Sequence, residues 1–287
     1  MTPGEVAPAP RRGPFAGREF QARVVSAVLL GAIVLSALIL GGWPFAVIWL
    51  AAGIVFAAEW IGMSAIAPRR LTLALSAATL FGLVLCLHGE AAPGITLGVG
   101  LVGAILVTWV PKDGPARLRA LAGLASAAVV ALVPTALRDD PGIGLLGPAW
   151  MFAVVWTTDI VAYFTGRTLG GPKLMPRVSP KKTWSGALGG LAGGTLAGVG
   201  IVVFACDNGW SDLATAPLAG VALLSAVASI LSQGGDLVES AVKRHYGVKD
   251  SGRAIPGHGG VMDRLDGFFA VALLAGFYLI ARRLAAA

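Results

Sequence analysis

Residues 154–200 read VVWTTDIVAYFTGRTLGGPKLMPRVSPKKTWSGALGGLAGGTLAGVG. An apolar run holding one acid, Asp159, gives way at Gly166 to a basic segment with prolines and glycines. After Trp184 a second run of small and apolar residues begins. A hydrocarbon core about 30 Å thick takes about 20 apolar helical residues, the scale of each run. The alternation of a β-barrel strand is absent, and a lone strand would leave its backbone groups unpaired in lipid. Two membrane helices joined by a polar loop are therefore expected.

The rest of the chain repeats this pattern. Of its 287 residues 56% are hydrophobic and 13% charged, with a mean hydropathy of +0.79. A soluble domain carries about a quarter charged residues. A soluble protein with a large core is disfavoured, because too few charges remain to cover its surface. Candidate spans fall at approximately 24–41, 44–63, 71–87, 94–110, 120–137, 146–165, 185–205, 216–235 and 267–281. The expected fold class is all-α, a polytopic integral membrane protein with about nine transmembrane helices.

With a cytoplasmic N-terminus, 19 of the 22 Lys and Arg residues fall on the cytoplasmic side; Arg138, Arg282 and Arg283 are the exceptions. That bias sets the orientation. The net charge of +7 then reflects topology, and no nucleic-acid partner is expected. Cys86 and Cys206 offer neither a disulfide framework nor a CxxC site. Residues 1–22, polar and rich in Pro and Gly, read as a disordered cytoplasmic tail. Residues 23–145 read as scaffold helices and 146–287 as a catalytic transmembrane region, because the polar loops concentrate there. The small residues of Ser185–Gly200 let helix backbones approach closely and suit a homodimer.

Acids stand where lipid disfavours them. Asp159 lies seven residues before Gly166, on the order of 10 Å down a helix. An intramembrane carboxylate is a candidate site residue by default; the plainer reading is a structural bond between helices. Tyr163 and Arg167 extend a polar stripe along its face. Asp236 and Glu239 are three apart at the end of the eighth span, with Lys243 one turn on, and Asp263 and Asp266 repeat the spacing where the ninth begins. One such pair would read as a surface ion pair of little weight. Four acids beside many Lys and Arg point to a hard cation bound together with phosphate oxygens. SPKKTW, 179–184, reads as a helix start with Ser179 as cap and Pro180 in the first turn. Lys181 and Lys182 would then stand at a phosphate-attracting helix N-terminus. No GxxxxGK[ST] loop, HExxH or G-x-S-x-G occurs.

The segment SAVKRHYGVKDSGRAIPGHGGVMDRLDG, 240–267, resembles the signature of the phosphatidate cytidylyltransferases, or CDP-diglyceride synthases: S-x-apolar-K-R-x4-K-D-x-small-x2-apolar-P-x-H-G-G-x2-D-R-x-D. DIVAYFTGRTLGGPKLMPRVSPKKTW and SQGGDLVES also resemble family segments. One departure is Ser185, where the family usually has Glu. The resemblance implies transfer of the cytidylyl group of CTP to phosphatidate, giving CDP-diacylglycerol and pyrophosphate, in the inner (plasma) membrane with the site facing the cytoplasm. It implies Mg²⁺ as cofactor and leaves a second cation open. On that basis Asp236 and Asp263 are expected to hold Mg²⁺, with Lys243 and Asp266 also catalytic and Glu239 in support. Asp159, Lys181, Lys182, Arg244 and Arg264 are expected to bind substrate. Gly259 and Gly260 would bring backbone N–H groups near phosphate, and His258 would bond the leaving pyrophosphate. Two other readings compete: a CTP-dependent lipid kinase acting on a polyprenol-type alcohol, which would release CDP, and a transporter of an anionic solute, which would place charged or broken positions at the midplane of both halves. In the first half only Glu59 stands out.

Overall fold

The computed structural model describes residues 18–210, 217–255 and 259–286. In chain order they form α1 (Arg18–Leu40), α2 (Gly42–Met63), α3 (Arg69–His88), α4 (Pro93–Trp109), α5 (Gly114–Arg138), α6 (Leu146–Leu169), the strands β1 (Lys173–Met175) and β2 (Ser179–Thr183), then α7 (Trp184–Asp207), α8 (Leu218–His245) and α9 (Met262–Ala286). Helices α2, α3, α5, α7, α8 and α9 are long and apolar enough to cross a membrane, and Val25–Leu40 and Pro93–Trp109 are shorter apolar segments. Large apolar side chains such as Ile39, Leu101, Trp109 and Leu196 stay on the outside of the bundle. Lipid is the solvent that this surface suits.

Three departures from the sequence reading have simple causes. Helix α8 runs ten residues past the expected end at 235, and α9 begins at Met262 rather than 267. A ruler of apolar length stops where charge begins, whereas these helices continue as polar turns. Helix α1 begins at Arg18, inside the expected tail. Residues 179–183 are a strand rather than a helix start: β2 pairs antiparallel with β1, Lys173 opposite Thr183 and Met175 opposite Ser179. Pro180 is tolerated because a two-stranded hairpin has an edge that needs no N–H. The cap of α7 is Thr183, whose hydroxyl accepts from Gly186 N at 3.2 Å, so Ser179 is not the cap.

Helices α6 and α7 are the most closely packed pair. Gly186, Gly190, Gly194 and Gly198 turn one face of α7 inward, and an added Cβ would strike Ala162 O at Gly186, Thr158 at Gly190 and Gly194, and Ser225 at Gly198. Hydroxyls exploit the short distance. Thr158 Oγ1 and Ser229 Oγ share a hydrogen bond of 2.8 Å between α6 and α8, and Trp150 Nε1 donates to Ser225 Oγ at 3.0 Å. The two halves of the chain join through stacked rings, Trp49 of α2 lying 4.8 Å from Phe268 of α9 and 6.1 Å from Phe152 of α6. An apolar cavity of about 560 Å³, walled by Leu146, Trp150, Val221, Leu274 and Tyr278, opens toward the end where α6 and α8 begin. Among the described residues no candidate site residue lines it.

Candidate active site

Most of the acids and bases expected from the sequence converge where α6 and α8 end, α9 begins and the hairpin returns. Lys182 of β2 reaches Asp236 of α8, Nζ to Oδ2 at 2.5 Å. The other Asp236 oxygen accepts the Ser240 hydroxyl, one turn on, at 3.3 Å. Lys243, buried on the same helix, lies 3.0 Å from Glu239 Oε1 and 2.7 Å from Asp263 Oδ1. The i, i+4 spacing of Glu239 and Lys243 puts the first pair on one face of α8.

Asp263, in the first turn of α9, is more heavily engaged than a free metal ligand would be. Besides Lys243 it takes the Ser251 amide, 2.9 Å to Oδ2, and the Gly260 amide at 2.9 Å. The Gly260 N–H, expected to face phosphate, is thus committed to Asp263. Gly259 closes a bridge by accepting from Ile255 N at 2.9 Å and holds φ +87°, a region natural to glycine. A Cβ there would meet Asp263 Oδ2.

Asp159, Asp236 and Asp266 lie near enough for their carboxylates to repel one another, while Lys182 and Arg264 attract Asp159. Asp266 accepts its neighbour Gly267 N at 2.7 Å. Glu239 is buried, and apart from its ion pair neither of its oxygens accepts a hydrogen bond among the described residues. The cluster therefore brings together Asp159, Asp236, Glu239, Asp263, Asp266, Lys182, Lys243 and Arg264. By formal charge its carboxylates outnumber its cations by two among the described residues, the charge of one divalent ion.

Other expected site residues stand apart from this cluster. Lys181 is exposed on β2. Arg244 is exposed and donates to Val248 O at 3.0 Å, fastening the turn after α8. Arg167 donates to the Tyr163 hydroxyl at 2.8 Å, so that stripe pairs with itself. His258 lies outside the described residues. Ser185, standing where a Glu was expected, donates to Gly170 O and lies 3.1 Å from Thr183 Oγ1, tying the hairpin to the end of α6.

Glu59 stands out in the sequence but is given no role in the site expected from it. It sits on α2 in the half taken as scaffold, yet it is 8% exposed and bonded to the 251–262 loop. Oε1 accepts Val261 N at 3.0 Å, and Oε2 accepts Met262 N at 2.8 Å and the Ser251 hydroxyl at 3.1 Å. The signal was present: an acid alone in an apolar helix.

The donor set suits a hard cation. Among the described residues no three His, Cys, Asp or Glu side chains form a ready metal-holding group. Mg²⁺ characteristically takes only one or two carboxylates and fills its shell with phosphate oxygens and water. Asp236 and Asp263 would fit that role once Lys182 and Lys243, which neutralise them here, yield an oxygen of each to the ion.

Known proteins resemble this chain over most of its length. The model of the cytidylyltransferase family matches residues 21–281. The phosphatidate cytidylyltransferases of Brucella abortus (strain 2308) and Brucella melitensis biotype 1 are each 43% identical over 258 residues, covering 88% of this chain and 91% of theirs. That of Staphylococcus haemolyticus is 44% identical over 148 residues, 50% of this chain and 52% of its own. A family match over nearly the whole chain, with the signature's acids and lysines gathered at one end of the bundle, places this protein in the cytidylyltransferase family.

Proposed function

We propose that the protein is a phosphatidate cytidylyltransferase that joins CTP and phosphatidate into CDP-diacylglycerol and pyrophosphate. The observation that carries this reading is the convergence of lysine-paired carboxylates from α8 and α9 with Lys182 of the hairpin at one end of an apolar bundle. There a water-soluble polyanion can meet a lipid headgroup.

A phosphatidate phosphate oxygen attacks the α-phosphorus of CTP. The bond from that phosphorus to the oxygen bridging to the β-phosphorus breaks, and pyrophosphate carries away the electron pair. The attacking oxygen is already anionic, so no strong base is needed. The obstacle is repulsion between anions, and fixed positive charge lowers it. Lys182, Lys243 and Arg264 supply that charge inside the cluster, and Lys181 and Arg244 supply it at the approach. Mg²⁺ held by Asp236 and Asp263, with Glu239, Asp266 and Asp159 around them, would neutralise phosphate oxygens when bound. His258 would bond the departing pyrophosphate.

The reading includes nine membrane crossings with a cytoplasmic N-terminus, residues 23–145 as scaffold, 146–287 as catalytic region and a location in the inner membrane. It also includes a homodimer, whose contact would lie away from the glycine face of α7, since α6 and α8 already occupy it.

Purified protein in mixed micelles with phosphatidate, radiolabelled CTP and Mg²⁺ should yield labelled lipid and pyrophosphate. Release of CDP with a phosphorylated alcohol would favour the kinase, and no labelled lipid across several micelle compositions would sink the reading. Omission of Mg²⁺ with EDTA should abolish turnover and be reversed by adding Mg²⁺ back.

A further inference from the structure

The Glu59 carboxylate is fixed from several directions at once. Val261 N and Met262 N, at the start of α9, belong to the amides that no helical carbonyl can satisfy. Glu59 takes both, so the cap of α9 comes from a different helix, and a negative charge there suits the helix dipole. The chain also thins to admit it. A Cβ on Gly252 would strike Glu59 Oε1, Cγ and Cδ, and one on Gly260 would strike Glu59 Oε2 and Ser251 Oγ. Trp60, the next residue, donates to Arg119 O at 2.8 Å and packs edge-on to Tyr246, which fixes the α2 end of the link.

Ser251 makes this more than a cap. Its hydroxyl donates to Glu59 while its amide donates to Asp263. Gly260 likewise gives its amide to Asp263 while lying against Glu59. Two carboxylates, one from each half of the chain, therefore share the same short loop. One of them holds Lys243.

We propose that Glu59 is a positioning residue for cytidylyl transfer: through Ser251, Gly260 and the first amides of α9 it sets where Asp263 and Lys243 stand relative to the phosphates. This rests on the cytidylyltransferase reading. Both of its oxygens are already taken by Ser251, Val261 and Met262, so it acts through those contacts and its loss should act on turnover more than on binding. Misplacement of a reacting group by about 1 Å can cost about 100-fold.

The test compares wild type, Glu59→Gln, Glu59→Ala, Gly252→Ala and the double variant Glu59→Ala/Gly252→Ala in the micelle assay, with thermal unfolding in detergent measured alongside. Glu59→Gln should lower kcat by about 10- to 100-fold, with KM for CTP and phosphatidate within about twofold and a loss of Tm too small to account for the fall. Gly252→Ala should lower kcat in the wild-type background and have little further effect once Glu59 is Ala, because the atoms nearest its Cβ all belong to that side chain. If Glu59→Gln turns over like wild type, or if activity falls only in proportion to the folded fraction, Glu59 is a structural cap and the proposal fails. Additive losses in the double variant would likewise overturn it. A wild-type protein that makes no labelled lipid overturns the functional reading and this proposal together, whereas active wild type with an active Glu59→Gln overturns this proposal alone.

Discussion

At the scale of single residues, lysines hold the two carboxylates expected to bind Mg²⁺. Replacing Asp236 by Asn removes the partner of Lys182 and an acid from the cluster. We expect turnover to fall by about 100- to 1000-fold, as for loss of a preorganised charge contact, with the protein still folded in detergent. Asp263→Asn should abolish labelled-lipid formation while keeping a cooperative melt, because Lys243 retains Glu239; near-normal turnover would remove Asp263 from the site. Thr183→Ala should cost about 1 kcal/mol of stability through the lost cap, read as a lower denaturation midpoint. The types and spacing of the site acids could be read from the chain, since three-residue spacing on a helix fixes a shared face. Apart from Glu239 and Lys243, four apart on one helix, the partners of the acids could not. Lys182 meeting Asp236 depends on a hairpin that apolar periodicity does not register, and Glu59 meeting Met262 depends on how distant helices pack.

At the scale of elements, the helices followed from apolar length and their polar extensions did not. The last turns of α8 and the first turn of α9 carry most of the acids of the candidate site, which is where a hydropathy ruler stops measuring. The inward face of α7 makes a sharper expectation. Gly194→Val would push a branched side chain into Thr158 and Ser229, with an expected loss of about 1–3 kcal/mol typical of overpacking. Adding Ser229→Gly or Thr158→Ala should return part of it, measured by detergent unfolding. If Gly194→Val melts like wild type, α7 does not pack as described.

At the scale of the molecule, the charges of the candidate site gather at one end of the bundle, and the apolar cavity lies at the other, near the Arg282–Asp140 pair. The proposed orientation can be checked in cells. With Cys86 and Cys206 replaced by Ser, Glu90→Cys should react with a membrane-impermeant maleimide from outside intact cells, and Lys181→Cys should react only after the membrane is opened. The reverse pattern would invert the topology. The link between Glu59 and α9 also sets a schedule for synthesis. Val261 follows Glu59 by 202 residues, which at roughly 5–20 residues per second is on the order of 10–40 s of translation. During that interval α2 stands in the bilayer with a carboxylate whose partners do not yet exist. Until the last helix arrives, water at the membrane edge must solvate Glu59, so a ribosome stalled before α9 leaves the first half of the chain carrying an unmatched acid.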